Sequence, residues 1–554
     1  MMANKHEIAP IDPVDAEAEA APEETPLAQP ETAPTEDAEE APQPEPVVPA
    51  AVEAKSEVGC PIEMGWSGPR CGRKLHAAPD GVDEQPVCLM HSKYPNKQSG
   101  PLFDAFWQEF ERILEDAGED EARFDRFVFP AADLHERIFK AICLFDGATF
   151  TQQADFRRVT FTQNADFVGA TFAQDADFSG ATFTQNASLI GATFTKDAVF
   201  SRATFTGHAD FGVATFTQNA DFYGATFTQN AVFRGVTFTQ NADFVGATFA
   251  QDAEFEETKF YGTADWRRCR FLDQAEFRHT EFKPKEPMTP SAIFSLAKFA
   301  KPGEIVFEDV DLNRALFLNC DVSSVWFTSS VQWARRKGHR GLAVFEEEIL
   351  LDPELSRELK YYGKIDHGAV EQIYHQLQKN YDSRLDYRKA NDFHSGEMEM
   401  RRLELPSDGP LLSLRRKIPR WLNLLTLYRL ASDYGNSYAK PGAWLIATLF
   451  AATLSFPLTG LESKQPKPGN SAGNAIVTYQ NVWNRQDSWT NNLRTEGKLL
   501  IKSGITAIDT ATFQRNPEFT PVYPRGRILG IIETLLTSSL FALFLLAIRR
   551  QFRR

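Results

Sequence analysis

At 554 residues the chain exceeds what one hydrophobic core usually serves, so several domains are expected. Its 59 Lys and Arg against 75 Asp and Glu give a net charge of −16, which speaks against nucleic acid as a partner. Six cysteines are too few for a disulfide framework and fit a reducing compartment.

The acidity is concentrated at the start. Residues 1–58 hold fifteen Asp or Glu against two Lys, with ten prolines and no aromatic residue. Such a segment cannot bury enough apolar surface to offset the entropy of ordering, so 1–56 is predicted to be a disordered tail that aids solubility or meets a basic partner. It has neither the basic start nor the apolar stretch of a secretory signal.

Residues 57–95 form the next unit, a small Gly- and Pro-rich module in which Cys60, Cys71, Cys88 and His91 are spaced C-x10-C-x16-C-x2-H. Three thiolates and an imidazole complete a tetrahedral shell for zinc, and so small a segment has little core without a metal. Structural zinc is therefore the expected cofactor, with incidental reduced cysteines as the alternative and His76 as a competing fourth ligand. Four protein ligands leave no open position for catalysis. Residues 96–144 contain LFDAFWQEFERILEDAG, which has the apolar spacing of an amphipathic helix and is predicted to cap the repeats after it.

From Phe145 to Phe282 an aromatic or leucine residue recurs at steps that alternate five and six. Of these twenty-six positions twenty-four are Phe, the exceptions being Leu189 and Trp266, and Ala stands two places earlier in twenty cases. A period of eleven could mark a helical supercoil. However, successive Phe would then lie about 140° apart, and the Thr and Gly in each repeat are poor helix formers. The alternative is a solenoid in which residues i and i−2 share the inner face of an extended segment, as Ala165 with Phe167, while Gly169, Gly180 and Gly191 turn corners. Beyond 304 the spacing is a uniform five, with Phe307, Leu312, Phe317, Val322 and Phe327 inward and Ile305, Val310, Ala315, Cys320 and Val325 as their partners.

This pattern resembles the pentapeptide-repeat family, whose unit is A(D/N)Lxx with Leu or Phe at its centre. The resemblance covers about 145–330, less regular near 283–304, and implies a right-handed quadrilateral β-helix with four units per coil. Because every second unit has a sixth residue, coils of about 22 residues are expected, roughly six of them plus one more from the later units. The TFT rows are similar to those of some ice-binding solenoids, and some family members mimic DNA. The modest, diluted acidity of the rows argues against mimicry, and a solvated wall is the simpler reading.

Residues 331–440 are predicted to be α-helical. Val370, Ile373, Tyr374, Leu377, Tyr381, Leu385, Ala390 and Phe393 keep helical spacing and resemble one helix pair of tetratricopeptide type. His367, His375 and His394 read as surface or packing residues, and LRRKIPRWLNLLTLYRL as a segment on a membrane surface.

Two stretches, 441–461 and 528–548, are long and apolar enough to span a bilayer. Arg415, Arg416, Lys417, Arg420, Arg429 and Lys440 precede the first and RRQFRR comes after the second. Both termini, including the basic tail 549–554, are therefore expected in the cytoplasm and the chain in an inner or plasma membrane. The loop 462–527 holds a short apolar segment that could re-enter. The order of span, loop and YPRGRILGIIETLLTSSLFALFLLAIRR resembles the two-helix pore module of potassium-type channels. The filter position, TATFQRNPEFTPVYP, lacks GYG, and the YG at Tyr434 and Gly435 precedes the first span.

No nucleotide-binding, metalloprotease or hydrolase motif occurs, and no catalytic residues are assigned. The expected function is a non-enzymatic, membrane-anchored scaffold presenting the solenoid to a cytoplasmic or membrane protein, with membrane lipid and further copies of the chain as other partners. The alternative is an ion channel-like pore regulated by its repeat domain.

Overall fold

The computed structural model describes residues 59–64, 68–76, 81–286, 289–336, 341–359, 364–404, 424–463, 489–512 and 519–552. The expectations for the acidic tail, for most of the basic surface segment and for 513–518 at the filter position fall outside them.

Residues 121–327 wind as a parallel β-solenoid of about nine turns, with sheets of ten, eight, nine and eight strands as its four walls. From Ala132 to Phe282 each strand pairs with the equivalent one 22 residues on, as in Thr171↔Thr193 and Ala176↔Ala198, while the offset is 21 at Glu121↔Ile142 and 28 at Ala264↔Ala292. The six to seven coils expected from sequence fall short because the solenoid starts well before Phe145. Its first coil opens at Glu121–Arg123 and places Phe124, Phe129, Leu134 and Phe139 inward, all buried. The helical cap predicted for 96–144 is thus confined to α1 (Pro101–Ala117).

The Phe ladder is the core. Rings of successive coils stack almost parallel, Phe150 on Phe172 at 4.7 Å and Phe172 on Phe194 at 4.7 Å. That separation is close to the strand spacing of about 4.8 Å, so one geometry serves the hydrogen bonds of the walls and the stacked rings inside. Neighbouring columns meet edge to face, as Phe156 and Phe167 do at 5.8 Å and 87°. The Ala two places before most rings is buried beside the ring and leaves room for it, and the Val, Cys or Thr that replaces it in six units is buried likewise. The later units obey the same rule: Phe307, Leu312, Phe317, Val322 and Phe327 are all interior.

Two kinds of corner explain the alternation of five and six. After Phe167 the chain makes a tight turn closed by Ala170 N–H to the Phe167 carbonyl at 3.0 Å, with Gly169 at φ 63° as in a type II turn. The other corner is a wider bend that takes one more residue. Left-handed residues accordingly fall every eleven positions from Glu136 to His279, and Val213 at φ 50° is the β-branched one among them.

Both open ends of the walls are covered. At the start, α1 lays Phe106, Phe110 and Ile113 over the first coil, with Phe110 stacked on Phe124 at 4.6 Å. At the end, a short antiparallel pair (Ala334–Arg335 with Leu342–Ala343) leads to α2 (Phe345–Leu351), α3 (Pro353–Glu358) and the hairpin of α4 (His367–Ser383) and α5 (Tyr387–Leu403). Leu385, expected within a helix, instead sits exposed at φ 65° in the turn between α4 and α5. Beyond lie α6 (Leu424–Ser432), α7 (Ala439–Thr459), α8 (Trp489–Ala511) and α9 (Pro524–Gln551). The apolar segment singled out in 462–527 belongs to a 23-residue helix, α8, that packs against both α7 and α9.

Val213 is 61 % exposed and carries a branched Cβ in a conformation that suits glycine. Val213→Gly is expected to stabilise the solenoid by about 1 kcal/mol, read as a higher midpoint of thermal unfolding, because relief of strain exceeds the added chain entropy.

Candidate metal centre and the capped ends

A hairpin and a turn bring the four candidate ligands together. Cys60 and Cys71 sit on facing arms tied by Gly72 N–H to the Cys60 carbonyl (3.0 Å) and Cys71 N–H to the Ile62 carbonyl (2.7 Å). Cys88 and His91 come from one tight turn, in which the His91 and Ser92 amides both donate to the Cys88 carbonyl. The four ligand atoms lie within 4.8 Å of one another. His91 Nδ1 is 3.4 Å from Cys60 Sγ and 3.2 Å from Cys88 Sγ, and Cys71 Sγ is 3.8 Å from Cys88 Sγ. All six cysteines are free thiols, and 3.8 Å is far beyond a disulfide bond. His76, the competing ligand, stands outside the group against Tyr94.

The surroundings suit an anionic cluster. Arg73 Nη1 donates to Cys71 Sγ at 3.3 Å, while its Nε pairs with Glu109 of α1 at 2.9 Å and its guanidinium lies over the Phe127 ring. The hydrogen bond from Cys88 draws the Cys71 thiol down to about 3, and the same contact drives Cys88 up. Nearby, burial over the Phe106 ring pushes the Lys97 amine down to about 7.

The outer rows of the solenoid are largely occupied by their own backbone. The Asp of the strands accepts from the amide two residues on, as Asp177 from Ser179 N–H (2.8 Å) and Asp243 from Val245 N–H (2.7 Å). At the wide corners Asn164, Asn186 and Asn241 accept from the amide one coil further. Burial, with Asp265 and Asp221 above and below it, pushes Asp243 up to about 6. Such carboxylates serve turns and do not form a free acidic face.

The last coil is sealed by side chains of the α4–α5 hairpin. Asn380 Nδ2 donates to the Val322 and Val325 carbonyls at 2.8 Å each, and Gln376 accepts from Val322 N–H at 3.0 Å. Arg384 reaches the Val325 carbonyl and covers Trp326, and Trp333 Nε1 donates to Tyr381 Oη. Glu346 of α2, fully buried, accepts from Phe317 N–H. Of the histidines, His375 lies at the surface and His394 is buried, and both face Glu397, at 3.3 and 3.8 Å.

One turn joins this cap to the apolar helices. Asp433, Tyr434 and Gly435 all have positive φ. Tyr434 Oη donates to Glu399 of α5 (2.6 Å), its carbonyl accepts from Arg550 near the end of α9 (2.7 Å), and Asn436 donates to the Asn391 carbonyl (2.8 Å). Burial would raise Glu399, but hydrogen bonds from Arg402 and Tyr434 and the charge of Arg429 hold it down to about 2. Sequence reasoning misses this turn, since its YG carries meaning there only as a misplaced filter.

The stretches 145–193, 167–212, 189–237, 214–259 and 244–284 match the family model of pentapeptide repeats in nine-copy form, so 145–284 is a pentapeptide-repeat solenoid by sequence as by structure. No curated protein and no solved structure matches the chain.

Burial raises Glu346 from 4.5 to about 7. A carboxyl that holds its proton more tightly when folded contributes stability fully below about pH 4.5, and that contribution is lost as pH rises through about 7. The docking of α2 on the last coil should therefore weaken by on the order of 3 kcal/mol over that window. Glu346→Gln should flatten the dependence, as read by amide exchange of α2 and of Phe317 against pH.

Proposed function

We propose that this protein is a non-enzymatic scaffold anchored in a membrane by α7 and α9, which presents the pentapeptide-repeat solenoid to a partner protein. The observation that carries the reading is the surface of those two helices. Both are long and apolar enough to cross a bilayer, and only 17 % and 22 % of their apolar windows is buried. Ile446, Phe450 and Leu458 on one and Ile528, Ile531 and Leu535 on the other stand more than half exposed. A soluble protein rarely exposes so long an apolar belt, whereas a bilayer covers it.

Further support comes from the ends of the pair. The chain before α7 meets the end of α9 through Tyr434 and Arg550, and the opposite ends are joined by the antiparallel strands Leu461–Ser463 and Phe519–Pro521. Lys440, Arg549 and Arg550 thus gather at one end, beside the solenoid's cap, against Arg525 and Arg527 at the other, and this modest excess fits a cytoplasmic solenoid under the positive-inside rule. The interaction role rests on the solenoid, a rigid wall with no catalytic grouping among the described residues.

An ion-conducting pore is the second reading. Glu533 of α9 is 2 % exposed, and neither carboxylate oxygen has a hydrogen-bond partner among the described residues. Ionisable groups at such positions commonly mark pathways.

If the scaffold reading holds, full-length protein stays in the membrane pellet after an alkaline carbonate wash, and crosslinking from membranes recovers a reproducible partner. Release into the wash removes the anchor, and failure to recover any specific protein removes the scaffold. Single-channel steps from purified protein in planar bilayers would replace it with the pore.

A further inference from the structure

We infer that Cys60, Cys71, Cys88 and His91 hold one zinc ion, and that this ion is the clasp that keeps the first coil of the solenoid closed. The first half of the inference rests on the donor set. A tetrahedral zinc with sulfur at about 2.3 Å and nitrogen at about 2.0–2.1 Å sets S···S edges of roughly 3.8 Å and S···N edges of roughly 3.6 Å. The corresponding separations here are 3.8 Å between Cys71 and Cys88 and 3.4 and 3.2 Å from His91 Nδ1 to Cys60 and Cys88.

The tautomer of His91 is fixed by its other nitrogen. Nε2 faces the Asp125 carbonyl at 3.0 Å, and a carbonyl only accepts, so Nε2 carries the proton and Nδ1 offers its lone pair to the metal. Three thiolates around a divalent ion leave one net negative charge, which the Arg73 guanidinium beside Cys71 offsets. Cys60, Cys88 and His91 are 1 %, 2 % and 6 % exposed and Cys71 is half-buried, and four protein ligands leave no open position, so the ion is structural.

The second half rests on where the ligands lead. Asp125, whose carbonyl holds His91, belongs to the first coil. Between Cys88 and His91, the Met90 carbonyl accepts from Val128 N–H at 2.8 Å, and Val128 lies on the outermost strand of one solenoid wall. His91 also meets the Phe127 ring edge-on at 5.1 Å, and Arg73 links the Cys71 arm to α1. The ligand turn therefore satisfies backbone at the exposed edge of the first coil. Among the described residues of 59–91 only Cys60, Met64, Val87, Cys88, Met90 and His91 are interior, so beyond the bond from His76 N–H to the Val87 carbonyl (2.8 Å) the ion is the main tie between the hairpin and the turn.

The test uses full-length protein purified in detergent under reducing conditions from zinc-supplemented cells. Elemental analysis is expected to give about one zinc per chain, falling below about a tenth in Cys88→Ser. Cys320→Ser, in the core and away from the cluster, keeps it. Chelation is expected to raise amide exchange across 121–145 while leaving 193–260 unchanged. His91→Cys, which still supplies four ligands, is expected to keep zinc yet raise exchange at 124–128, separating ion binding from the Asp125 link. Wild-type protein without zinc overturns the site. Zinc that can be removed with exchange at 121–145 unaltered overturns the clasp.

Discussion

The structure depends on one coincidence of lengths. Neighbouring parallel strands lie about 4.8 Å apart, and offset aromatic rings stack comfortably at nearly that distance. A Phe repeated every coil can therefore stack on itself along the axis while the walls keep their hydrogen bonds, as the centroid separations of 4.7 Å at Phe150 and Phe172 and 5.1 Å at Phe249 and Phe271 show. Leu at 189 is tolerated within its column because the ring is replaced by a side chain that still fills the interior. Every other feature of the solenoid follows from keeping this register: Ala beside the ring, a tight corner, a wider one, and polar rows that tie corners down.

A stack that fits so well along its axis has no natural end. Each terminal coil presents unpaired backbone and an uncovered ring layer, an invitation to associate. The chain closes its two ends with different chemistry. At the start, α1 covers the rings and the Cys88–His91 turn covers the backbone. At the finish, a helical hairpin does both, through Tyr381 near Phe327 and through Asn380, Gln376 and Arg384 on the carbonyls and amides of 322–325. The second cap then continues through Glu399 and Tyr434 to the base of α7 and α9. The solenoid, its cap and the apolar helices are thus linked by short polar contacts.

How much of this is legible in the sequence depends on what each feature requires. The interior positions, the 22-residue coil and the glycine corners can be read because a repeat makes each residue testify many times. The first coil cannot, although Phe124, Phe129, Leu134 and Phe139 keep the five-residue step. Their Ala partners are fewer, and the charges of LHERIFK between them imitate an amphipathic helix. The four candidate positions, Cys60, Cys71, Cys88 and His91, can be singled out from residue chemistry, while that they converge and that His76 stands outside the group needs the fold. The seal on the last coil is illegible because Asn380 and Gln376 look like ordinary polar positions on a helix and acquire their role only from the backbone they meet.

The same reasoning locates what is distinctive about the outer surface. Rows that repeat from coil to coil are committed to the fold, since their Asp and Asn oxygens hold amides of the turns. Information that another molecule could read resides where a row changes character. One wall carries Thr149, Thr171, Thr193, Thr215 and Thr237 in register, then Lys259 and Glu281; another carries Thr from 160 to 248, then Arg270 and Lys298. The uniform part of the solenoid therefore sets a distance, and the individual part lies toward the helical cap, where charge replaces threonine on two of the four walls.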